Sequence, residues 1–497
     1  MVFIKEKKST FKKELGLLDL IVFGIGSTIG AGIFILMGLG ANIAGPGLIF
    51  SFIIGTIITL FIALNYAELT TCMPSAGGSY AFVKEGFGGM TAFYVGWLIW
   101  LGSVVFTSLS AVGFILYLNF ILPFTLHDLF SMVIILGFLA LNIKGVKKAI
   151  KIQKIITLIL LAIFVVSIGF GFTRINVENL SPLFPNGIPP VFLATSLIFV
   201  CFIGHAMLTT VSEETKEPKK IARALITTVL ISGLIYVLIC FVTIGSVPMF
   251  DLVSSKVPLM ELVKNNSIMS ALILLAAILA TLSSLNTSII AASRNLFALS
   301  RDGYVPKIFS SLHRKYKTPY VSMIFSSMIA ILFVASRSIE FIAYVSSFSF
   351  LIAFSLVSTS LYVLRKKRRY LYRPFRLKHY KIFSLIGFIL PLILLIFLES
   401  GAIFTGIIWM IVGFFVYSLH TLGTYRFRMA LGGINSLVAL FSFIIWYALR
   451  IGFTSMESLT KLFLSYTSLI IGFVSLFSGL LFIKKVKSLR KGGKTQI

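Results

Sequence analysis

Long apolar stretches alternate with short polar connections along most of the 497 residues. Each stretch has about the 20 residues that an α-helix needs to cross a bilayer. We count about 14 of them, centred near residues 27, 56, 105, 135, 161, 201, 234, 281, 328, 353, 390, 412, 441 and 473. The pattern predicts an all-α polytopic membrane protein with about 14 transmembrane helices.

The first stretch is interrupted by glycines in the segment GIGSTIGAGIF. Gly24, Gly26, Gly30 and Gly32 lie within nine residues, and each lowers helix stability by roughly 1 kcal/mol relative to Ala. A helix that unwinds exposes backbone N–H and C=O groups, which are tolerated at membrane depth only where they line a cavity or are buried in protein. The segment therefore predicts a broken helix with a substrate site at mid-membrane.

A second polar interruption, Gly204 with His205, falls five spans later. Two irregular spans separated by five enter the membrane in opposite directions. This is typical of a five-plus-five inverted repeat with discontinuous helices 1 and 6 at its centre. An ionisable residue inside a span, such as His205, indicates function by default.

The chain is 58% hydrophobic and 12% charged, with a net charge of +28. With both termini inside, all but six of the 44 Lys and Arg residues fall on the inner side. The positive-inside rule then predicts a multi-pass protein of the cell membrane with both termini cytoplasmic. The basic charge serves topology and contact with the lipid bilayer, and nucleic-acid binding is excluded.

Polar segments divide the chain into five predicted parts. These are a cytoplasmic tail at 1–15, a ten-helix transport core at 16–365, a basic cytoplasmic loop at 366–381, four additional helices at 382–484 and a basic tail at 485–497. The basic run RKKRRYLYRPFRLKHYK, which begins with Arg365, is interpreted as a topogenic anchor in contact with lipid headgroups.

Enzyme chemistry is not indicated. The three cysteines, Cys72, Cys201 and Cys240, match no metal site or disulfide framework. No nucleophile–base pair or nucleotide motif is visible either, so we predict a protein that is not an enzyme, without metal or cofactor.

Six motifs, in this order and spacing, resemble the amino acid–polyamine–organocation (APC) superfamily of amino acid permeases, and within it the cationic amino acid transporter branch. They lie at residues 12–38, 66–88, 96–101, 202–224, 292–319 and 373–376. The resemblance implies the LeuT-like fold and a secondary active transporter of amino acids. Alternating access would rock spans one, two, six and seven against the rest.

The resemblance also implies the residues of the substrate site. Amides at the N-terminus of the second half of helix 1 would bind the α-carboxylate, as helix N-termini favour anions. Backbone carbonyls of helices 1 and 6 would bind the α-ammonium, with Phe202 as an aromatic gate. The matching positions are Ser27, Thr28, Ile29, Gly30, Ala31, Gly32, Cys201, Phe202, Ile203, Gly204 and His205.

The coupling ion, H+ or Na+, stays open. In sodium-coupled relatives, eighth-span hydroxyls and first-span carbonyls bind a cation, which would involve Ser283, Ser284, Gly26 and Ile29. Proton-coupled relatives carry a fifth-span lysine where this chain has Leu160, so His205 is the alternative proton carrier.

Three carboxylates, Glu68, Glu213 and Glu214, are predicted to form an inner gate through ion pairs with basic residues at the ends of the first or eighth spans. The candidate pocket contains no acidic side chain, which favours neutral amino acids. Its members are Ser103, Thr107, Cys201, Phe202, His205 and Ser283. The alternatives are an amino acid exchanger, a polyamine transporter or a non-transporting amino acid sensor of the same fold. The sequence does not identify any protein partner.

Overall fold

A computed structural model describes residues 15–74, 78–122, 126–144 and 149–421. In this part all regular structure is helical, apart from an isolated parallel bridge between Leu15 and Thr215. The prediction of an all-α polytopic protein is confirmed.

The described residues form sixteen α-helices. They are α1 Leu17–Thr28, α2 Ala31–Ala44, α3 Leu48–Cys72, α4 Gly78–Phe87, α5 Gly89–Leu118, α6 His127–Lys144, α7 Ala149–Phe172, α8 Pro189–Ile198, α9 Pro218–Ser246, α10 Met249–Ser254, α11 Pro258–Glu261, α12 Ser267–Arg301, α13 Tyr320–Val334, α14 Ile339–Lys367, α15 Tyr380–Leu395 and α16 Ser400–Thr421. A 16-residue 3-10 helix, Phe199–Glu214, follows α8 directly.

Nine described segments are long and apolar enough to cross a membrane, and α1, α13 and α15 are shorter apolar helices. The predicted spans near residues 441 and 473 lie outside the described residues. Contacts divide the described chain into a main unit of residues 15–302 and 306–411 and a small unit of residues 303–305 and 412–421.

Burial separates central from peripheral helices in the main unit. The apolar window of α5 is 89% buried, and those of α14 and of α8 with its 3-10 extension are 83% buried, whereas that of α6 is 17% buried. The central helices tolerate hydroxyl groups because these donate hydrogen bonds to nearby helix carbonyls. Thr107 Oγ1, for example, donates to the Ser103 carbonyl oxygen at 2.9 Å. The candidate site lies among these central helices.

Candidate functional site

The first span is interrupted at two residues. α1 ends at Thr28 and α2 begins at Ala31, while Ile29 (φ −77°, ψ 91°) and Gly30 (φ −123°, ψ −153°) are extended. The interruption frees N–H groups at the start of α2 from intrahelical bonding. One of them, the Ala31 N–H, is directed at Ser284 Oγ of α12 at 3.3 Å.

The sixth span changes its helical type where a turn at Gly204 is predicted. The change begins earlier, at Phe199, and the chain then continues as a 3-10 helix through residues 201–205. Runs of 3-10 helix longer than three or four residues are uncommon and often mark a functional hinge. The irregularity is therefore a long tightened helix rather than a short unwound turn.

The two irregular segments touch through their backbones. A Cβ atom added at Gly204 would overlap the peptide between Ser27 and Thr28. A Cβ at Gly32 would lie 2.5 Å from Cys201 Sγ. Only glycine permits this approach, so the sequence brings the backbones of the first and sixth spans together.

Tyr236 of α9 bridges the two segments. Its Oη lies 2.7 Å from the Thr28 carbonyl oxygen and 3.1 Å from the Cys201 carbonyl oxygen, and the side chain is fully buried. The single hydroxyl proton serves both acceptors. Sequence reasoning missed this residue; the available signal was a tyrosine in mid-span, whose hydroxyl requires a partner when buried.

The hydroxyl side chains of the break turn away from the site. Ser27 Oγ donates to the Phe23 carbonyl at 2.9 Å, and Thr28 Oγ1 donates to the Gly24 carbonyl at 2.8 Å. Both groups bond within α1, so backbone groups rather than hydroxyls form the polar surface of the break.

Phe202 lies between the second and seventh spans. Its ring meets that of Tyr236 edge-on at 5.3 Å and lies against Gly55 of α3. The ring is 1% exposed. In this conformation it is a packed core residue, and Ile203 beside it is also buried.

His205 faces the second and tenth spans. Its ring centroid lies 5.7 Å from that of Tyr66 and 5.2 Å from that of Phe354. Nδ1 is 2.7 Å from the Phe202 carbonyl oxygen, which fixes the proton on Nδ1, and Nε2 is buried without a hydrogen-bond partner among the described residues. These contacts hold the imidazole between the aromatic rings of α3 and α14.

The two hydroxyls predicted to take part in ion coupling face different neighbours. Ser284 Oγ faces the break and lies 2.9 Å from Ser110 Oγ, whereas Ser283 Oγ donates to Gln153 Oε1 of α7 at 2.7 Å. Gly26 lies against Gln153 and Thr157. These two polar residues, rather than the buried Leu160, are the fifth-span side chains at Gly26.

Glu68 finds its partners in the tenth span and the loop after it. Arg365 Nε donates to its carboxylate at 2.7 Å, and Arg373 Nε lies 3.1 Å away. The expected partners at the ends of the first or eighth spans do not contact it among the described ion pairs. The side chains of Glu213 and Glu214 lie outside the described residues.

A small cavity lies beyond Gly204 on the side that carries the basic loops. Its volume is about 40 Å³, which suffices for a water molecule. Its walls come from α4, α5, the 3-10 helix, α12 and α14, and include Ser79, Ala206, Ala291 and Phe350. The described residues contain no group of three or more His, Cys, Asp or Glu side chains placed to hold a metal ion.

Comparison with known proteins gives a consistent family. The amino acid permease family model matches residues 15–418. The branched-chain amino acid permease BcaP of Bacillus subtilis (strain 168) is 30% identical over 437 residues, covering 83% of this chain and 94% of the relative. The methylthioribose transporter of the same organism is 28% identical over 438 residues, covering 84% and 95%. The chloroplastic cationic amino acid transporter 9 of Arabidopsis thaliana is 30% identical over 341 residues, covering 61% and 57%.

Proposed function

Because this chain belongs to the amino acid permease family, we propose that it is a secondary active transporter that carries amino acids across the cell membrane by alternating access. The observation that carries the proposal is the backbone contact between Gly204 and the Ser27–Thr28 peptide. It brings together two sets of backbone groups that can bind the α-carboxylate and the α-ammonium of an amino acid.

The α-carboxylate binds at the start of α2. The N–H groups of Gly30, Ala31 and Gly32 lie there, and the helix dipole favours an anion at this end. The Ala31 N–H has only a long contact, 3.3 Å, to the neutral Ser284 hydroxyl. A carboxylate oxygen is a stronger acceptor and replaces that contact.

The α-ammonium binds the carbonyl oxygens of Thr28 and Cys201. Tyr236 offers these two acceptors one proton, whereas an ammonium group offers three. The backbones touch at Gly204, so a substrate enters this site only when the first and sixth spans separate. Substrate binding and the conformational change are thereby coupled.

The substrate class is neutral, aliphatic amino acids. Residues 201–203 are apolar, and BcaP, which shares 30% identity, is named for branched-chain substrates. A polyamine has no carboxylate and would leave the α2 amides without a charged partner. The methylthioribose transporter, which is 28% identical, is named for a substrate of another class.

Ion coupling involves the neighbourhood of Gly26. Gln153 Nε2 is buried there without a partner among the described residues, beside the Ser283 hydroxyl that binds its Oε1. The oxygen atoms of this group, Gln153 Oε1 and Ser283 Oγ, link a sodium ion to the first span, whereas His205 is the candidate for a proton. Both termini are cytoplasmic in this proposal, as the charge distribution predicts.

Uptake into proteoliposomes tests the proposal. Radiolabelled leucine, valine, serine, lysine and spermidine are offered with proton and sodium gradients imposed separately. Saturable leucine uptake supports the proposal. Stimulation only by internal amino acid identifies an exchanger, and tight binding without flux identifies a sensor. Preference for spermidine over every amino acid refutes the proposed head-group site.

A further inference from the structure

A fully buried carboxylate at the inner end of α3 is surrounded by donors. Arg365 donates to Glu68 through both Nε and Nη2, and the Leu377 N–H donates to Oε2 at 2.8 Å. Arg373 pairs with the other oxygen at 3.1 Å. Glu68 is 0% exposed, and the two arginine side chains are 9% and 8% exposed.

The same arginines fold the segment 368–379 over the end of α3. Arg365 Nη2 also donates to the Leu377 carbonyl at 2.8 Å, and its guanidinium lies 4.0 Å from the centroid of the Tyr380 ring. Arg373 donates to the Leu371 carbonyl at 2.9 Å. Two members of the basic run are therefore interior residues rather than lipid contacts.

Helix α4 is attached to the same region. It connects to α14, to α3 and to the residue after α12, and it supplies Ser79 to the wall of the inner cavity. The contacts are Lys367 Nζ to the Gly86 carbonyl at 2.8 Å, Tyr66 Oη to Ser79 Oγ at 2.7 Å and Lys84 Nζ to Asp302 Oδ2 at 2.6 Å. The inner ends of α3, α12 and α14 are thus joined through one short helix.

The inner end of α1 is held by much weaker contacts. The Asp19–Lys154 ion pair spans 2.7 Å, but its side chains are 36% and 44% exposed. The Lys216 N–H also donates to the Leu15 carbonyl at 3.2 Å. Exposed ion pairs contribute little to stability because water competes for both charges.

We propose that Glu68, Arg365 and Arg373 form a permanent clasp that keeps the inner end of α3 fixed to α14 throughout the transport cycle. This inference rests on the proposed function. The inner gate opens instead through α1 and the end of the 3-10 helix. The inner ends of the second and tenth spans then keep a constant separation while the inner end of the first span moves. The clasp residues are positioning residues, since none contacts the break in the first span in the described structure.

The physical reason is the asymmetry of the two attachments. Separating α3 from α14 would break both ion pairs of a buried carboxylate and leave two buried guanidinium groups with carbonyl acceptors but no counter-charge, which is strongly destabilising. Separating the inner end of α1 exchanges one partly exposed ion pair and one backbone hydrogen bond for contacts with water. The movement driven by substrate binding is therefore the separation of α1, which costs less free energy.

Distance measurements by electron paramagnetic resonance test the clasp in the full-length protein. One protein carries spin labels on the native Cys72, one turn from Glu68, and on Tyr370→Cys, a fully exposed position. A matched control carries labels on Leu18→Cys in α1 and on Tyr370→Cys, with Cys72→Ser. Cys201 and Cys240 are buried and label slowly.

We expect the Cys72–Tyr370→Cys distance to stay constant when leucine is added, while the Leu18→Cys distance changes by several ångströms. A substrate-dependent change at the first pair, or constancy of both, overturns the clasp. Uptake is measured in the same vesicles. Uptake together with movement at the first pair refutes the clasp alone, whereas absence of uptake for every amino acid refutes the proposed transport function.

A charge variant gives an independent readout. Glu68→Gln is expected to lower the maximal uptake rate about tenfold with little change in substrate affinity, because it weakens the attachment of α3 to α14 and leaves the binding site unchanged. Glu85→Gln, which removes the exposed carboxylate 3.5 Å from Arg368, is the control and keeps the wild-type rate. Glu68→Asp restores part of the rate. A Glu68→Gln protein with wild-type maximal rate overturns the proposal, and if that variant does not fold, the distance measurement decides.

Discussion

Substitution of Gly204 by alanine tests the backbone contact at the centre of the proposed site. The added methyl group would overlap the Ser27–Thr28 peptide. Peptide atoms belong to the main chain and cannot rotate away as a flexible side chain can. The first and sixth spans must therefore separate by more than about 1 Å to reach ordinary van der Waals distance.

The size of the effect follows from the cost of overpacking. Inserting a methyl group into a well-packed interior costs typically 1–3 kcal/mol. If the strain falls on the arrangement that binds substrate, it corresponds to a loss of roughly 5- to 150-fold in affinity or rate. The separation also moves the Thr28 and Cys201 carbonyls apart, so that Tyr236 bridges them less well.

The assay is initial leucine uptake into proteoliposomes, together with equilibrium binding of radiolabelled leucine in detergent. We expect Gly204→Ala to lower uptake by at least about fivefold, the lower end of the range set by overpacking. Gly137→Ala in α6 is the matched control, because a Cβ there meets no atom within 4 Å. Wild-type uptake and affinity in Gly204→Ala would refute the reasoning.

Three further substitutions probe the bridge, the coupling group and the inner face. Tyr236→Phe removes the donor shared by two buried carbonyls and is expected to weaken leucine binding by about fivefold to tenfold, near the value of one hydrogen bond; unchanged binding would contradict the bridge. Gln153→Leu is expected to abolish stimulation of uptake by the gradient that drives the wild type, and equal stimulation would remove Gln153 and its partner Ser283 from coupling. Burial raises the pKa of Asp302, but the hydrogen bonds from Lys84 and Tyr80 and the nearby positive charges of Lys84 and Arg301 together outweigh it, and the net pKa is lowered. Its stabilising contribution is therefore present at neutral pH and lost as the pH falls below the usual carboxyl range. The thermal stability of wild type should exceed that of Asp302→Asn at pH 7, and the difference should shrink on acidification; a difference independent of pH would contradict this.

The sequence predicts local features well where glycine carries the signal. The cluster from Gly24 to Gly32 predicts an interrupted first span, and the interruption lies at Ile29 and Gly30. The long apolar stretches likewise predict a membrane protein, since hydropathy is a property of a single segment. Neither inference requires knowledge of what the segment touches.

Partners far apart in sequence could not be predicted. Tyr236 meets Thr28 across 208 positions, and Arg365 meets Glu68 across 297 positions. No local pattern encodes such pairs. The positive-inside rule counts every arginine near the inner membrane edge in the same way, so it cannot separate the buried Arg365 and Arg373 from arginines that face lipid headgroups.

His205 shows how helix geometry limits inference from one sequence. The face of a residue is assigned from an α-helical repeat of 3.6 residues per turn, but this segment is a 3-10 helix with three residues per turn. Residues 202 and 205 are then aligned along one side, which matches the 2.7 Å contact between the His205 ring and the Phe202 carbonyl. Each residue after Phe199 is rotated progressively further from its α-helical direction. A polar residue read as facing the substrate is thereby directed toward Tyr66 and Phe354, while Gly204, one position earlier, faces the first span. The change of helical type thus decides which residues of the sixth span line the proposed site.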